Sequence, residues 1–273
     1  MSAVRGLHHF ALTVGDVDDE ITFHERVLGL TVVRRTPIDA RGRAAEVLEL
    51  GTSAGESGFL HSICLGSVGP VGRLGSNGPR SANLAVPPGS LGFWRTRLFD
   101  AHIAAEHVTR LGTERLELTH PAGVLLSLVE ADDPRPAGNG AIGPDHAIRG
   151  LHSVTLSLMD VRETHDFLVG VLDADHDLQD LAWGRYRLGE DPGATIELLH
   201  EPYRAPGTWT FAVGTPHHVA FDAGTIVDRE RLCARLRQAG YADVSPEVAD
   251  GDSTSVWVRT PGGTLVDLCC SVR

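Results

Sequence analysis

Leu7-His8-His9-Phe10-Ala11-Leu12-Thr13 is an apolar strand-like stretch with two histidines at its mouth. Side chains alternate along a strand, so His8 and His9 face opposite ways and His9 shares a face with Ala11 and Thr13. The same pattern returns near the other end of the chain as Pro216-His217-His218-Val219-Ala220-Phe221. If two of these imidazoles converge and a carboxylate joins them, the result is the two-histidine, one-carboxylate face used by non-haem Fe(II).

Working outward, Arg5-Gly6-Leu7-His8 matches Arg149-Gly150-Leu151-His152 at an offset of 144 residues. The same offset sets Asp16-Val17 on Asp160-Val161, Phe23 on Phe167 and Val27-Leu28 on Val171-Leu172. Agreement at one fixed offset points to internal duplication. Within a copy, Leu7 to Val14 alternates as a strand. Asp16 to Val27 then has near-helical spacing, with Asp16 placed as N-cap and Gly29 at the stop. Strand-like runs follow at Leu30–Val33, Ala45–Leu50 and 58–65, giving a β-α-β-β-β unit.

A second unit runs from Asn83 through a helix near Ser90–Ala101 to strands near Arg115–Leu118 and Val124–Val129. A third spans about Arg149 to His200. A fourth starts at His217, with its helix near Val227–Ala239 and its last strand from Thr264 to Cys270. His120-Pro121-Ala122-Gly123-Val124-Leu125-Leu126-Ser127 sits over Thr260-Pro261-Gly262-Gly263-Thr264-Leu265-Val266-Asp267, a shared turn feeding a buried strand. The expected fold class is α+β, with four βαβββ modules. Two domains are expected, residues 1–140 holding modules one and two and residues 146–273 holding modules three and four. Modules one and four, which carry the paired histidines, are expected to face each other.

The bulk composition narrows the function. The chain has 273 residues, 42% hydrophobic and 22% charged, with a formal net charge of −12. That charge argues against a sequence-independent nucleic-acid binder, which needs a basic footprint. No basic helix suggests an anionic membrane, no apolar run approaches a membrane span, and the N-terminus has no signal-peptide pattern. Cys64, Cys233, Cys269 and Cys270 lack metal-site spacing and read as buried, reduced thiols of a cytoplasmic protein.

Four β-α-β-β-β modules in one chain resemble the vicinal oxygen chelate superfamily, in which paired modules curl into half-barrels around a metal. Local stretches are similar to its hydroquinone-type ring-cleaving dioxygenases: Leu7-His8-His9, Pro88-Gly89-Ser90-Leu91, Arg149-Gly150-Leu151-His152-Ser153, His200-Glu201-Pro202, Gly207-Thr208-Trp209-Thr210, His217-His218 and Arg259-Thr260-Pro261-Gly262-Gly263. The resemblance implies Fe(II), with Mn(II) as an alternative, and O₂ acting on a small aromatic substrate. It implies metal ligands at His9, His218 and Asp267. The family carries glutamate at this last place, so the ligand here is one methylene shorter.

The resemblance also gives His8 and His217 a part as acid–base or substrate-orienting groups, which suits an imidazole. Trp257 stands where the family has a tyrosine; it stacks or donates through its indole but cannot transfer a proton. The family's arginine falls near Asp250, and its threonine two residues after the first ligand is Ala11. These changes keep open an O₂-independent isomerase, lyase or addition enzyme of the same superfamily, or a metal-free protein that sequesters a drug-like molecule. His152, followed by Ser153, is expected to be structural. His24, His61, His102, His107, His120, His146, His165, His176 and His200 have no partner at metal-ligand spacing and are expected at the surface or in structural roles. Glu201 is expected in a turn. A homo-oligomer is left open, although one chain holds enough modules to be self-sufficient.

Overall fold

Each module begins with a strand flanked by glycine and closes with a strand that returns parallel to it. In the computed structural model, residues 3–271 are described apart from 41, 53–58, 67–68, 139, 190–191, 209–211, 242 and 251–252. Residue 58 of the strand expected at 58–65, and Trp209 and Thr210 of the quoted motif, lie outside the described residues. Module one contains β1 (Gly6–Val14), α1 (Val17–Thr22), β2 (Thr31–Asp39), β3 (Ala44–Gly51) and β4 (Leu60–Cys64). Module two contains β5 (Gly78–Val86), α2 (Leu91–Asp100), β6 (Ala105–Arg110), β7 (Thr113–Thr119) and β8 (Leu125–Glu130). Module three contains β9 (Gly150–Leu158), α3 (Arg162–Asp166), β10 (Asp175–Asp180), β11 (Trp183–Arg187) and β12 (Thr195–His200). Module four contains β13 (Thr215–Asp222), α4 (Ile226–Gln238), β14 (Val248–Asp250), β15 (Ser253–Arg259) and β16 (Leu265–Ser271).

The helix ends follow their local chemistry. Asp16 accepts from the backbone N–H of Asp18 at 2.8 Å and of Asp19 at 3.3 Å, starting α1. The helical stretch expected to run unbroken to Val27 instead widens after Thr22 into a π-helical turn, Phe23–Leu28, and ends at Gly29, whose φ of 70° suits a residue without Cβ. Module three repeats this turn at Phe167–Val171. Phe23 and Phe167 are both buried there, so the duplication preserves a packing detail as well as a topology.

Two eight-stranded sheets result. One has the order β14-β15-β16-β13-β1-β4-β3-β2 and the other β10-β11-β12-β9-β5-β8-β7-β6. Modules one and four therefore share one sheet, and modules two and three share the other. The sequence boundary near residues 140–146 separates modules, while each sheet draws strands from both sides of it. In the first sheet β1 and β13 are antiparallel neighbours at the centre, with His9 opposite Ala220 and Ala11 opposite His218. The strand β4 lies parallel to β1 with His61 beside Ala11, and β16 lies parallel to β13 with Asp267 beside Ala220. A continuous apolar core includes Phe10, Leu12, Leu84, Trp94, Val154 and Leu268. The four cysteines are buried and unpaired by disulfide. Among the described residues, no helix is long and apolar enough to cross a membrane.

Candidate metal centre

The antiparallel pairing of β1 with β13 carries His9 and His218 to one spot from opposite directions. Their Nε2 atoms are 2.7 Å apart, and both rings are buried. Asp267 is 2% exposed, and its carboxylate joins them: one donor atom from each of the three residues lies within 4.8 Å of the others. Its strand β16 is an interior strand between β15 and β13, not an edge, and the side chain is buried.

Hydrogen bonds fix how these groups present themselves. Nδ1 of His9 is 2.8 Å from Nδ1 of His8, and Nδ1 of His218 is 2.8 Å from Nδ1 of His217. A neutral imidazole carries one N–H. When Nδ1 of each inner ring donates to its outer neighbour, the inner Nε2 lone pair is turned to the centre. Histidine ligands are usually oriented by such a partner. Burial holds both inner imidazoles well below the ordinary histidine pKa, reinforced at His9 by His61 and His218 and at His218 by His217 and His61. Both rings are therefore neutral near pH 7, with lone pairs to give.

Asp267 is held through one oxygen. Ser255 Oγ donates to Oδ2 at 3.0 Å, and Cys269 Sγ donates to the same oxygen at 2.9 Å. These bonds offset part of the cost of a buried carboxylate. Trp257 lies across the strand pair from Asp267, and its ring meets His218 edge-on with centroids 4.6 Å apart. Two neutral imidazoles and a carboxylate make a donor set suited to a divalent first-row metal, so the residues present fit such an ion. Asp250 lies on β14, the edge strand of this sheet.

His61, expected at the surface or in a structural role, is buried against His9. It is 7% exposed, and its ring lies flat on His9 with centroids 3.6 Å apart and planes 13° apart. The signal that could have found it is its place on the closing strand of module one, the counterpart of the strand that carries Asp267.

A second buried group joins Glu20, His24 and His120. His24 Nε2 is 2.9 Å from one Glu20 oxygen, and His120 Nε2 is 3.1 Å from the other. Ser62 Oγ also donates to Glu20. Nδ1 of His120 accepts the Ala122 N–H at 3.0 Å, so its proton sits on Nε2 and faces Glu20. An Nε2 that carries a proton has no lone pair for a metal. Burial alone would push the Glu20 carboxyl up, but His24 and His120 outweigh it and hold it far below the carboxylate range. This cluster is a hydrogen-bonded anion under α1.

The second sheet has the same register and different chemistry. Asn83 is opposite Ser153 and Ser81 opposite Thr155, while Ser127 lies beside Asn83 and Glu197 beside Thr155. The places of His9, His218, Asp267 and His61 are thus held by Ser153, Ser81, Ser127 and Glu197. Arg115 from β7 grips Glu197 with two bonds of 2.9 and 3.0 Å, and both side chains are buried. His152 hydrogen-bonds Ser153 Oγ at 3.0 Å. Glu201 accepts from Ser157 at 2.6 Å and pairs with Arg80 at 3.3 Å, so it ties β9 to β5 as well as closing a turn.

Known proteins share this chain's sequence and fold along nearly its whole length. The chlorohydroquinone/hydroquinone 1,2-dioxygenase of Sphingobium indicum is 27% identical over 271 residues, spanning 97% of this chain and 84% of the relative. A Bacillus subtilis strain 168 protein bearing a ring-cleaving dioxygenase name, MhqO, is 25% identical over 96% of this chain and 83% of its own. Among solved structures, one from Bacillus subtilis strain 168 superposes with a TM-score of 0.90 at 24% identity, over 100% of this chain and 87% of that chain. Glyoxalase I from Zea mays follows the same fold with a TM-score of 0.67 at 17% identity, over 97% of this chain and 92% of that chain. The family model described as the Glyoxalase/Bleomycin resistance protein/Dioxygenase superfamily matches residues 6–67 and 150–268, more than half of the chain, and the protein belongs to that superfamily.

Proposed function

We propose that this protein is an Fe(II)-dependent dioxygenase that uses O₂ to cleave the ring of a hydroquinone-like or related phenolic compound. The observation that carries the reading is the convergence of His9, His218 and Asp267. The names of its relatives, hydroquinone and ring-cleaving dioxygenases, agree with it. His9 and His218 would hold the metal through Nε2. Asp267 would hold it through its carboxylate, which Ser255 and Cys269 orient. Bound there, the metal would supply Lewis-acid stabilisation of a phenolate and would bring substrate and O₂ together.

The protein's own groups have separable tasks. With a metal bound, His8 and His217 would accept hydrogen bonds from Nδ1 of the inner rings, 2.8 Å away, and so leave both Nε2 lone pairs for the ion. They are half-buried, so each also lies within reach of a proton exchanged with substrate or solvent. Trp257 walls the site beside His218 and has no proton to transfer at neutral pH. The buried sheet interior excludes bulk water, which strengthens every charge interaction inside it.

The test is anaerobic reconstitution with Fe(II), metal analysis, and O₂ uptake with hydroquinone and substituted hydroquinones. The reading expects close to one iron per chain and O₂ consumption coupled to loss of the aromatic chromophore. Folded His9→Ala and His218→Ala proteins should lose both. Turnover of a substrate at an unchanged rate without O₂ would replace the dioxygenase with isomerase, lyase or addition chemistry. Ring cleavage surviving in the histidine variants would remove these residues from the reaction.

A further inference from the structure

A second set of donors adjoins the triad and shares His9 with it. His8, His9 and Cys269 each bring one donor atom within 4.8 Å of the others. Strand register brings the three together. His8 is the extra residue of a β-bulge, since Leu7 pairs with Phe221 while His9 pairs with Ala220, the next residue along β13. A bulge re-aims side chains, and here two consecutive histidines meet with their Nδ1 atoms 2.8 Å apart. On β16, Cys269 lies beside Asp222 and Asp267 beside Ala220, so thiol and carboxylate share a face of the strand. His9 thus stands between two groups, with Nε2 toward His218 and Nδ1 toward His8.

The two sets differ in chemistry. The triad offers a carboxylate and two imidazoles, whereas the second set offers sulfur and two imidazoles, which select a softer ion. Zn(II) binds imidazole nitrogen at about 2.0–2.1 Å and thiolate at about 2.3 Å, so nitrogens 2.8 Å apart need part only slightly to take one ion between them. His8 is half-buried and gives such an ion a way in. We infer that His8, His9 and Cys269 form a second metal site, selective for thiophilic divalent ions such as Zn(II) or Cd(II), whose occupation opposes metal binding at the triad. Binding is an exchange without redox change: the thiol proton and the hydrogen between the two Nδ1 atoms leave for solvent, and Cys269 stops donating to Asp267. His9 then loses the Nδ1–H that orients its other nitrogen, so the two ions compete for one histidine. The site itself stands without the triad reading; only the opposition between the ions rests on it.

The test titrates Cd(II) into metal-free protein and reads the ultraviolet sulfur-to-cadmium charge-transfer band. Mn(II) uptake is followed in parallel by loss of the free-ion electron paramagnetic resonance signal. In wild type the band should saturate at about one Cd(II) per chain, and Cd(II) should release bound Mn(II). Cys269→Ser should lose the band while binding Mn(II) within a few-fold of wild type, and Asp267→Ala should lose Mn(II) while keeping the band. His8→Phe should weaken Cd(II) about tenfold or more. Circular dichroism confirms each fold, and Cys269→Ala replaces a Cys269→Ser protein that does not fold. A band that survives in the folded Cys269 variant would move the ion to another cysteine and overturn the inference, as would a wild type without the band or unchanged Cd(II) affinity in His8→Phe. Cd(II) and Mn(II) bound together without mutual effect would overturn the shared role of His9. Wild type that shows the band but takes up no Mn(II) would remove the triad reading and leave this site standing.

Discussion

Replacing Ser255 by alanine should weaken metal binding at the centre without removing any ligand. Asp267 approaches on a side chain one methylene shorter than glutamate, so its orientation leaves little slack. Its Oδ2 is held by Ser255 Oγ at 3.0 Å and by Cys269 Sγ at 2.9 Å. Loss of a group that orients a metal ligand typically lowers affinity by about 10–100-fold, or roughly 1.4–2.7 kcal/mol. Ser255→Ala belongs in that range because a hydroxyl is a full donor. Cys269→Ala should cost only a few-fold, since S–H is a weak donor. Both donors act on one oxygen, so the double variant should lose more than the sum of the two in free energy. Ser255→Thr, which keeps the hydroxyl, should restore most of the affinity. The assay is a Mn(II) titration at fixed pH, with circular dichroism confirming the fold of each variant. Ser255→Ala within twofold of wild type, beside an Asp267→Ala protein that binds nothing, would show that these hydrogen bonds do not orient the ligand.

Glu20→Ala should destabilise the protein by about 3 kcal/mol or more, because His24, His120 and Ser62 lose their shared acceptor in the interior. That corresponds to a fall in melting temperature of roughly 6–12 °C, and a melt within 2 °C of wild type would refute the account. Arg115→Met should cost about 3–5 kcal/mol by leaving Glu197 charged, buried and without its guanidinium. Adding Glu197→Leu should recover much of that loss in denaturant titration, and no recovery would show that the pair acts by more than charge. Acidification should destabilise the metal-free protein below about pH 6.5. Burial lowers the pKa of His9, His218 and, against the pull of Glu20, His24, so the unfolded chain binds more protons than the folded one in that window. Stability is then complete above the unfolded value and falls as pH drops, by up to about 1.4 kcal/mol per pH unit for each such histidine. Stability that is flat between pH 7 and pH 5 would contradict the burial of neutral rings.

The first helix of module one and its repeat were legible because their signals are local. Asp16 caps the first helix and Gly29 stops it, and the 144-residue offset carries Phe23 onto Phe167 inside the same widened helical turn. The pairing of modules one and four was legible from a chemical argument, since two His-His strands have most to gain by meeting. For His61 the place on the closing strand was legible, but which residue of β1 lies beside it was not. That neighbour, Ala11, is fixed by a parallel pairing of strands 50 residues apart in the chain. His120 was hidden for a similar reason. It reaches Glu20 only when the turn of module two is brought against the helix of module one, and its spacing from Glu20 carries no periodicity. The widening of the first helix was also invisible, since Val17, Ile21 and Val27 suit either a regular or a widened turn.

The two sheets show why one interior suits a metal and the other does not. They share a strand order and a register, so backbone geometry does not distinguish them. The difference lies at the four corners and in one strand beside them. In the first sheet Ser255 on β15 presents a small hydroxyl to Asp267. At the matching place on β7 the second sheet has Arg115, whose guanidinium reaches Glu197. Burial pushes the Glu197 carboxyl up, but hydrogen bonding and charge from Arg115 outweigh it and keep it ionised. A fixed cation thus already balances the buried carboxylate, and a divalent ion entering there would meet that cation in a medium that screens it poorly. The remaining corners are Ser153, Ser81 and Ser127, so no imidazole stands at any of the four. In the first sheet Asp267 accepts from the Ser255 hydroxyl and the Cys269 thiol and stands beside the neutral rings of His9 and His218, a donor set that suits a mobile cation.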